Sequence, residues 1–348
     1  MRTKFLCLAV LAAILLPACR KEAAPAVPEE TGTLLIHVDP GLPGTKAATP
    51  DITAETYETR VRKVDILVFD EKGQLNLYYP AGTALEGIKL SVTTGTKDVW
   101  AVINGPDLGT VIREADLKAL KTVLEDNSTG DGTGAFIMAG NQECEVAVSQ
   151  EKPCTVTVER FAARISLTKV EVALPAAYDK VTVKSVMLTN VVANQNIGGT
   201  AEPLEWYNKK GRTDAGTIID GSAGAKATAE ALTFRTIGTT VANGSSLSIP
   251  SPYRFYGYPN PTTEDRFEAD GSFKEEQTRL VITAEIGGET CYYPVTLPTV
   301  KRNTAYEVEL VIASLGSKDP DEVPRKGTVN ATVTIHPWRE GAVITETI

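Results

Sequence analysis

Thr33-Leu34-Leu35-Ile36-His37-Val38-Asp39 is the stretch from which the fold is read. Leu34, Ile36 and Val38 fall at every second place, the period of a β-strand whose alternate side chains share one face. Asp39-Pro40-Gly41 ends the run, because Pro lacks the amide that a sheet ladder needs and Gly accepts a turn. The same signal recurs downstream. Arg62 to Asp70, Ile88 to Val92 and Asp98 to Ile103 read as strands, punctuated by Glu71-Lys72-Gly73-Gln74 and Asn104-Gly105-Pro106. Cys144 to Arg160 reads as a hairpin with its turn at Gln150 to Pro153. From Phe161 the pattern restarts, with strands expected over Ala163 to Val172, Val181 to Val192 and Leu247 to Gly257. Further strands follow over Arg279 to Ile286, Tyr292 to Leu297, Tyr306 to Ala313, Thr328 to Ile335 and Gly341 to Ile348. Only Asp116 to Leu124 has helical spacing, through Leu117, Leu120 and Val123 or Leu124. Asn194 to Gly224, with Trp206 and Tyr207 inside it, reads as surface loops. The 28 Gly and 20 Pro punctuate short strands, so the chain is expected to be all-β with one or two short helices. Two β-sandwich domains joined near Arg160, residues 33–160 and 161–348, are the economical arrangement.

Before this strand, Arg2 and Lys4 give a positive start, and Leu6 to Leu16 form an apolar run too short to span a bilayer. Leu16-Pro17-Ala18-Cys19 follows and resembles the lipobox of bacterial lipoproteins. The resemblance implies a signal peptide over residues 1–18, diacylglycerol on the Cys19 thiol and attachment to the outer membrane. Buried lipid contributes about 0.8 kcal/mol per methylene, so several chains would hold the protein firmly. Arg20-Lys21-Glu22 resembles a surface-export signal of such lipoproteins, or serves as a solvated part of the tether expected over residues 19–32.

The net charge of −9 argues against nucleic acid as a partner. Of the five cysteines, Cys7 leaves with the leader and Cys19 is the lipid site. With a turn at Gln150 to Pro153, Cys144 and Cys154 would not be cross-strand partners, so Cys144, Cys154 and Cys291 are expected to be reduced and partly buried. The two histidines, His37 and His336, sit without partner patterns, which disfavours nucleophilic hydrolysis. Glu125 to Gly132 invites a calcium reading, but the twelfth place counted from Asp126 is Ile137 rather than Glu. Gly130-Asp131-Gly132-Thr133-Gly134 lacks the Lys of a phosphate loop. Tyr253, Phe255, Tyr256 and Tyr258 suit a core more than a sugar-stacking platform. No enzyme, metal or cofactor emerges.

Several segments in order carry a wider resemblance: Lys63 to Asp70, Asp98 to Gly105, Phe136 to Ala139, and Arg160 to Val170. The tail adds Tyr292-Tyr293-Pro294-Val295, Arg302-Asn303-Thr304-Ala305-Tyr306, Gly316-Ser317 and Trp338 with a strand behind it. Together with the lipobox, these are similar to the FimA-like fimbrillins, pilin subunits of the Bacteroidales type. That resemblance implies two transthyretin-like β-sandwiches and a cut by a trypsin-like protease in the loop after the first strand. It also implies polymerisation by strand exchange into cell-surface fimbriae that serve adhesion, with accessory tip and anchor pilins as further partners.

Carried over, the cut falls between Lys46 and Ala47, where better-known members have Arg; Arg60 is the rival site. The removable strand is then Leu34 to Val38. The donor is Gly341 to Ile348, with Ala342, Ile344 and Ile348 on one face and Val343, Thr345 and Thr347 on the other. Glu346 interrupts the first face, so the second face or a longer donor from Val333 stays open. A tip or anchor role, or a glycan-binding surface lipoprotein of an uptake complex, is the rival reading.

Overall fold

The computed structural model describes residues 30–40, 56–127, 135–199, 206–208, 232–265, 276–320, 330–338 and 344–347. The first half runs β1 (Thr31–Asp39), β2 (Val64–Asp70), β3 (Leu75–Gly82), β4 (Ile88–Thr93), β5 (Gly95–Ile103) and α1 (Glu114–Ala119). It continues with β6 (Lys121–Val123), β7 (Met138–Val146), β8 (Glu151–Thr157) and β9 (Glu159–Arg160). The second half runs β10 (Ala163–Val172), β11 (Lys180–Thr189), β12 (Val191–Val192), β13 (Asn194–Asn196), β14 (Trp206–Tyr207) and β15 (Phe234–Ala242). It ends with β16 (Tyr253–Gly257), β17 (Arg279–Ile286), β18 (Glu289–Thr296), β19 (Thr304–Ile312), β20 (Asn330–Pro337) and β21 (Ile344–Thr347).

The strands form β-sandwich layers. In the first half, a three-stranded sheet ordered β4-β1-β8 accompanies a five-stranded sheet ordered β3-β2-β5-β7-β9. In the second half, β16-β10-β19-β20-β21 accompanies β15-β11-β17-β18. Alternation fixes which side of each strand is buried: β4 alternates Ile88, Leu90 and Val92 inward with Lys89 and Ser91 outward. β2, paired on both edges within its sheet, is buried at six successive residues from Val64 to Phe69, as expected of a strand covered on both faces. One apolar cluster runs without a break from Leu34 through Phe161 to Trp338. The halves are also stitched by backbone pairing, since β13 lies antiparallel to β6 with Gln195 opposite Thr122.

The strand pattern matches the reading of the sequence in most elements, and the exceptions have physical causes. Cys144 and Cys154 form a disulfide with a Cα–Cα distance of 6.2 Å, and among the described residues only Cys291 is free. The expectation of reduced Cys144 and Cys154 rested on a hairpin within one sheet. Here the chain turns at Ala147 to Gln150 and changes sheets, so β7 and β8 lie in different layers and the two thiols meet between them. The helix is shorter and earlier than Asp116 to Leu124. Its N-terminal amide donates back from Arg113 to the Asp116 carboxylate at 2.9 Å, and pairing with β13 turns Lys121–Val123 into strand. The expected strand over Leu247 to Gly257 is confined to Tyr253–Gly257. Trp206, expected in a surface loop, is buried beside Val192. β1 begins at Thr31, two residues inside the stretch read as tether.

Candidate functional site

The most consequential element is the first strand. β1 lies antiparallel to β4, with Leu34 opposite Leu90 and Ile36 opposite Ile88. On its other edge it lies parallel to β8, with Leu34 beside Lys152, Ile36 beside Cys154 and Val38 beside Val156. Leu34, Ile36 and Val38 are each fully buried, and they belong to the same apolar cluster as Ile66, Val68, Val99 and Val102. Its backbone bonds reach past the strand ends, from the Thr33 amide to the Gln150 carbonyl at 2.9 Å and from the Val158 amide to the Asp39 carbonyl at 2.9 Å. Three buried aliphatic side chains contribute roughly 5–9 kcal/mol before ordering costs. Over the outer face, the Lys89 ammonium of β4 meets the Glu151 carboxylate of β8 at 2.8 Å, bridging the two neighbours across β1. Both groups are exposed, so the pair adds about 1 kcal/mol or less.

β1 is the sole sheet neighbour of both β4 and β8 among the described residues. Withdrawing it would therefore open a slot two strand spacings wide, about 10 Å, floored by apolar side chains and edged by unpaired backbone. The Cys144–Cys154 disulfide ties β8 to β7 beside this slot. Closing a loop of this size contributes about 3 kcal/mol on a chain-entropy account.

A second constellation lies where the chain re-enters the fold after residue 55. Thr56–Thr59 forms one 3-10 turn that carries Glu58 into the interior. The Glu58 Oε2 accepts from the Arg164 guanidinium at 3.1 Å, and Oε1 accepts from the Tyr256 hydroxyl at 2.7 Å. The Arg160 side chain donates to the Glu58 carbonyl at 3.1 Å and to the Asn303 side chain at 3.2 Å. Both guanidinium groups sit over the Trp338 ring, at 4.7 and 5.5 Å from its centre. Tyr256 stacks on the same ring with centres 6.0 Å apart. Burial, and then the Glu58 carboxylate, push the Tyr256 phenol well above its ordinary range. This buried knot joins the turn after residue 55, the start of β10 and the residue after β20. No local signal in the sequence marks it, since Glu58, Asn303 and Trp338 are remote from Arg160 and Arg164 along the chain.

Arg60 lies just past this turn. Its carbonyl accepts from the Asn104 side-chain amide at 2.9 Å, and the Arg62 amide donates to the Asn104 side-chain oxygen at 2.8 Å. Asn104 adopts a left-handed φ of 54° and also donates to the Phe136 carbonyl, so it clips residues 60–62 to the sheet. At the other end of the chain, β21 pairs antiparallel with β20 along a sheet edge, with Ile344 opposite Ile335. Cys19, Lys46, Ala47, Ala342, Val343 and Ile348 lie outside the described residues.

Other chemistry-bearing groups serve packing. Phe255, Tyr256 and Tyr258 are buried, with the Tyr258 hydroxyl held by Asn127 and by the Val123 carbonyl. Asp98, whose carboxyl is raised by burial, accepts from the Trp100 indole and from Asn141, both at 2.9 Å. Glu114 beside it is paired with Lys118. Among the described residues no cluster of three or more His, Cys, Asp or Glu could hold a metal ion, and no helix is long and apolar enough to cross a membrane.

These features define a β-sandwich protein whose first strand is a centrally paired segment with one face fully buried. The model of the family described as major fimbrial subunit protein (FimA) matches residues 36–269, about two thirds of the sequence. The chain belongs to this family of fimbrial subunits, which are structural components of cell-surface fimbriae. Solved structures agree on the fold. A Porphyromonas gingivalis fimbrilin (FimA) aligns with a TM-score of 0.61 at 15% identity, covering 89% of this chain and 98% of its own. A Bacteroides eggerthii protein described as a cell adhesion protein aligns with a TM-score of 0.61 at 20% identity, covering 90% and 97%. The tip fimbrial protein Mfa3 of Porphyromonas gingivalis aligns with a TM-score of 0.55 at 14% identity, covering 88% and 100%. No curated protein matches the sequence.

Proposed function

We propose that this chain is a shaft subunit of a fimbrium, exported as a precursor lipidated at Cys19, cut after Lys46 by a trypsin-like protease, and polymerised by strand exchange. The observation that carries the reading is the seat of β1, at the centre of a three-stranded sheet with three fully buried aliphatic side chains. While tethered, β1 competes for its slot at an effective concentration of order mM, which free subunits do not match. A cut in the loop behind it turns a tethered strand into a ligand that can leave. The slot then offers apolar floor and unpaired edges to another copy's terminal strand, Gly341 to Ile348. Such a contact is head-to-tail, so it extends into a filament rather than closing into a dimer.

Two observations favour Lys46 over Arg60 as the cut. Proteolysis needs backbone that is accessible and free of hydrogen bonds, whereas residues 60–62 are clipped by Asn104 on both sides. A cut at Arg60 would also detach Glu58 from Arg164 and leave buried positive charge uncompensated. The two sandwiches are proposed to meet near Arg160 as domains. β21, paired by backbone on a sheet edge, supports a shaft role over that of a tip lacking a donor strand.

The test is limited trypsin digestion of the purified chain, followed by electron microscopy and amino-terminal sequencing. Filaments whose subunits begin at Ala47 are expected. Filaments that retain Thr31–Asp39 in every subunit would refute the scheme.

A further inference from the structure

We propose that the Cys144–Cys154 disulfide holds β8 in place as one wall of the slot once β1 has gone, so that only the oxidised chain offers a preformed docking surface to a second copy of itself. This inference rests on the strand-exchange reading. Its basis is what holds each wall when β1 is absent. β4 is roped to β5 with only Thr94 between them, and Thr93 is further held by the Asn76 side chain at 3.2 Å. β8, like β4, makes its ladder with β1 alone among the described residues, and it is one residue longer. Its ends are fixed, by the turn Ala147 to Gln150 and by β9, whose Glu159 and Arg160 pair with Ala139 and Met138 of β7. Between those ends, the backbone of Glu151–Thr157 would have no sheet partner after β1 leaves. Cys154 lies at the middle of that span. It is buried, stands directly beside Ile36 of β1, and is bonded across the layers to Cys144 of β7.

The disulfide thus adds to the hold of β1 on β8 while β1 is seated and is decisive when β1 is absent. A wall that must be ordered by the incoming strand lowers the apparent affinity in proportion to the fraction of chains already holding it. The partner is a second copy of this chain, and the setting is an oxidising one, as for disulfides in exported proteins generally.

The test compares the wild-type chain with the double variant Cys144→Ala/Cys154→Ala in the trypsin-triggered assembly. The uncut variant is expected to fold and to be cut at the wild-type rate, yet to extend filaments roughly tenfold more slowly or not at all. Extension at the wild-type rate would overturn the proposal. Should the variant fail to fold uncut, order of addition on the wild type decides. Reductant given to cut monomers should stop extension and reoxidation should restore it, whereas reductant given to finished filaments should leave them intact, because the donor then supplies the missing ladder. Cut monomers that extend normally after thiol labelling shows Cys144 and Cys154 reduced would also overturn it. Oxidised wild-type monomers that never assemble after cutting would instead sink the strand-exchange reading, and this proposal with it.

Discussion

Glu58 and Arg164 form an ion pair of 3.1 Å with Glu58 fully buried and Arg164 at 2% exposure. Little water reaches either charge, so each depends on the other and on the hydrogen bonds around them. Arg164 begins β10, while Glu58 belongs to the single turn that follows the proposed cut loop. The pair therefore fastens the turn that follows the proposed cut to the second half of the molecule. Removing one member of a buried pair strands the other charge, at a cost of about 3–5 kcal/mol. Glu58→Ala should lower the unfolding free energy by that amount in an equilibrium denaturant titration. Loss of the Tyr256 hydrogen bond adds to it. A loss under about 1 kcal/mol would mean the guanidinium finds another partner.

The choice of cut can be separated from its consequence. Lys46→Ala should abolish trypsin-triggered assembly, and Arg60→Ala should leave it unchanged. Mass spectrometry of the digest gives the direct readout, with a fragment ending at Lys46 expected from the wild type and from Arg60→Ala. In Asn104→Ala the clip on residues 60–62 is gone, and cutting at Arg60 should begin to compete. A variant lacking Asn104 that still resists at Arg60 would place the protection elsewhere, in the buried turn at Tyr57 and Glu58.

How much of this was legible follows from the range of each interaction. Alternation in Leu34-Leu35-Ile36-His37-Val38 is local, and it sufficed to identify β1 and its buried face. Its two neighbours, β4 and the more distant β8, carry no local mark of their pairing. The disulfide was hidden for the same reason, since nothing near Cys144 announces that the turn changes layers. Leu117, Leu120 and Leu124 look helical together. The pairing of Lys121–Val123 with Asn194–Asn196, more than 70 residues away, overrode that local preference. Nothing near Arg160 and Arg164 marks them as buried, because their partners come from Glu58, Asn303 and Trp338, each remote in sequence.

Alkaline pH should unfold the chain through its buried phenols. Burial pushes Tyr306 up to about 12 from 10.0, Tyr258 and Tyr293 are raised further, and Tyr256 is raised well above its ordinary range, in each case chiefly by burial. A group whose folded pKa is raised contributes stability that is complete below its unfolded value and is lost as pH rises through the folded one. Circular dichroism should therefore be unchanged up to about pH 10 and collapse between about pH 10 and pH 12, together with the phenolate absorbance. Tyr306→Phe removes one such phenol and should move the midpoint upward, although it also frees the Lys301 amide and the Thr299 carbonyl that the hydroxyl now serves.

The register of the proposed incoming strand is constrained by one residue of β1. Gly32 is buried on the same face as Leu34, and a Cβ there would lie 2.3 Å from the Ala147 carbonyl oxygen and 2.7 Å from a Val146 methyl. Any strand filling the whole slot needs glycine at that place, and between Asn330 and Ile348 the sequence has one, Gly341. Setting Gly341 in the place of Gly32, in the same direction, brings Val343, Thr345 and Thr347 to the places of Leu34, Ile36 and Val38. Glu346 then takes the outward place of His37. The other face would put the Ala342 methyl against Ala147 and the Glu346 carboxylate in the fully buried place of Ile36, where an unpaired charge is prohibitive. Two buried hydroxyls cost less than one buried charge, so the β-branched face is the one expected inside. In this register Ile344 stands where Leu35 stands now, directly opposite Lys89 of β4. A mixture of cut Ile344→Cys and Lys89→Cys chains should therefore form intermolecular disulfides on oxidation. Gly341→Val should weaken extension by about 1–3 kcal/mol, the usual cost of overpacking, or roughly tenfold and more in affinity. Cross-linking of Lys89→Cys to Ala342→Cys in preference to Ile344→Cys would show a register shifted by two residues and contradict the glycine rule.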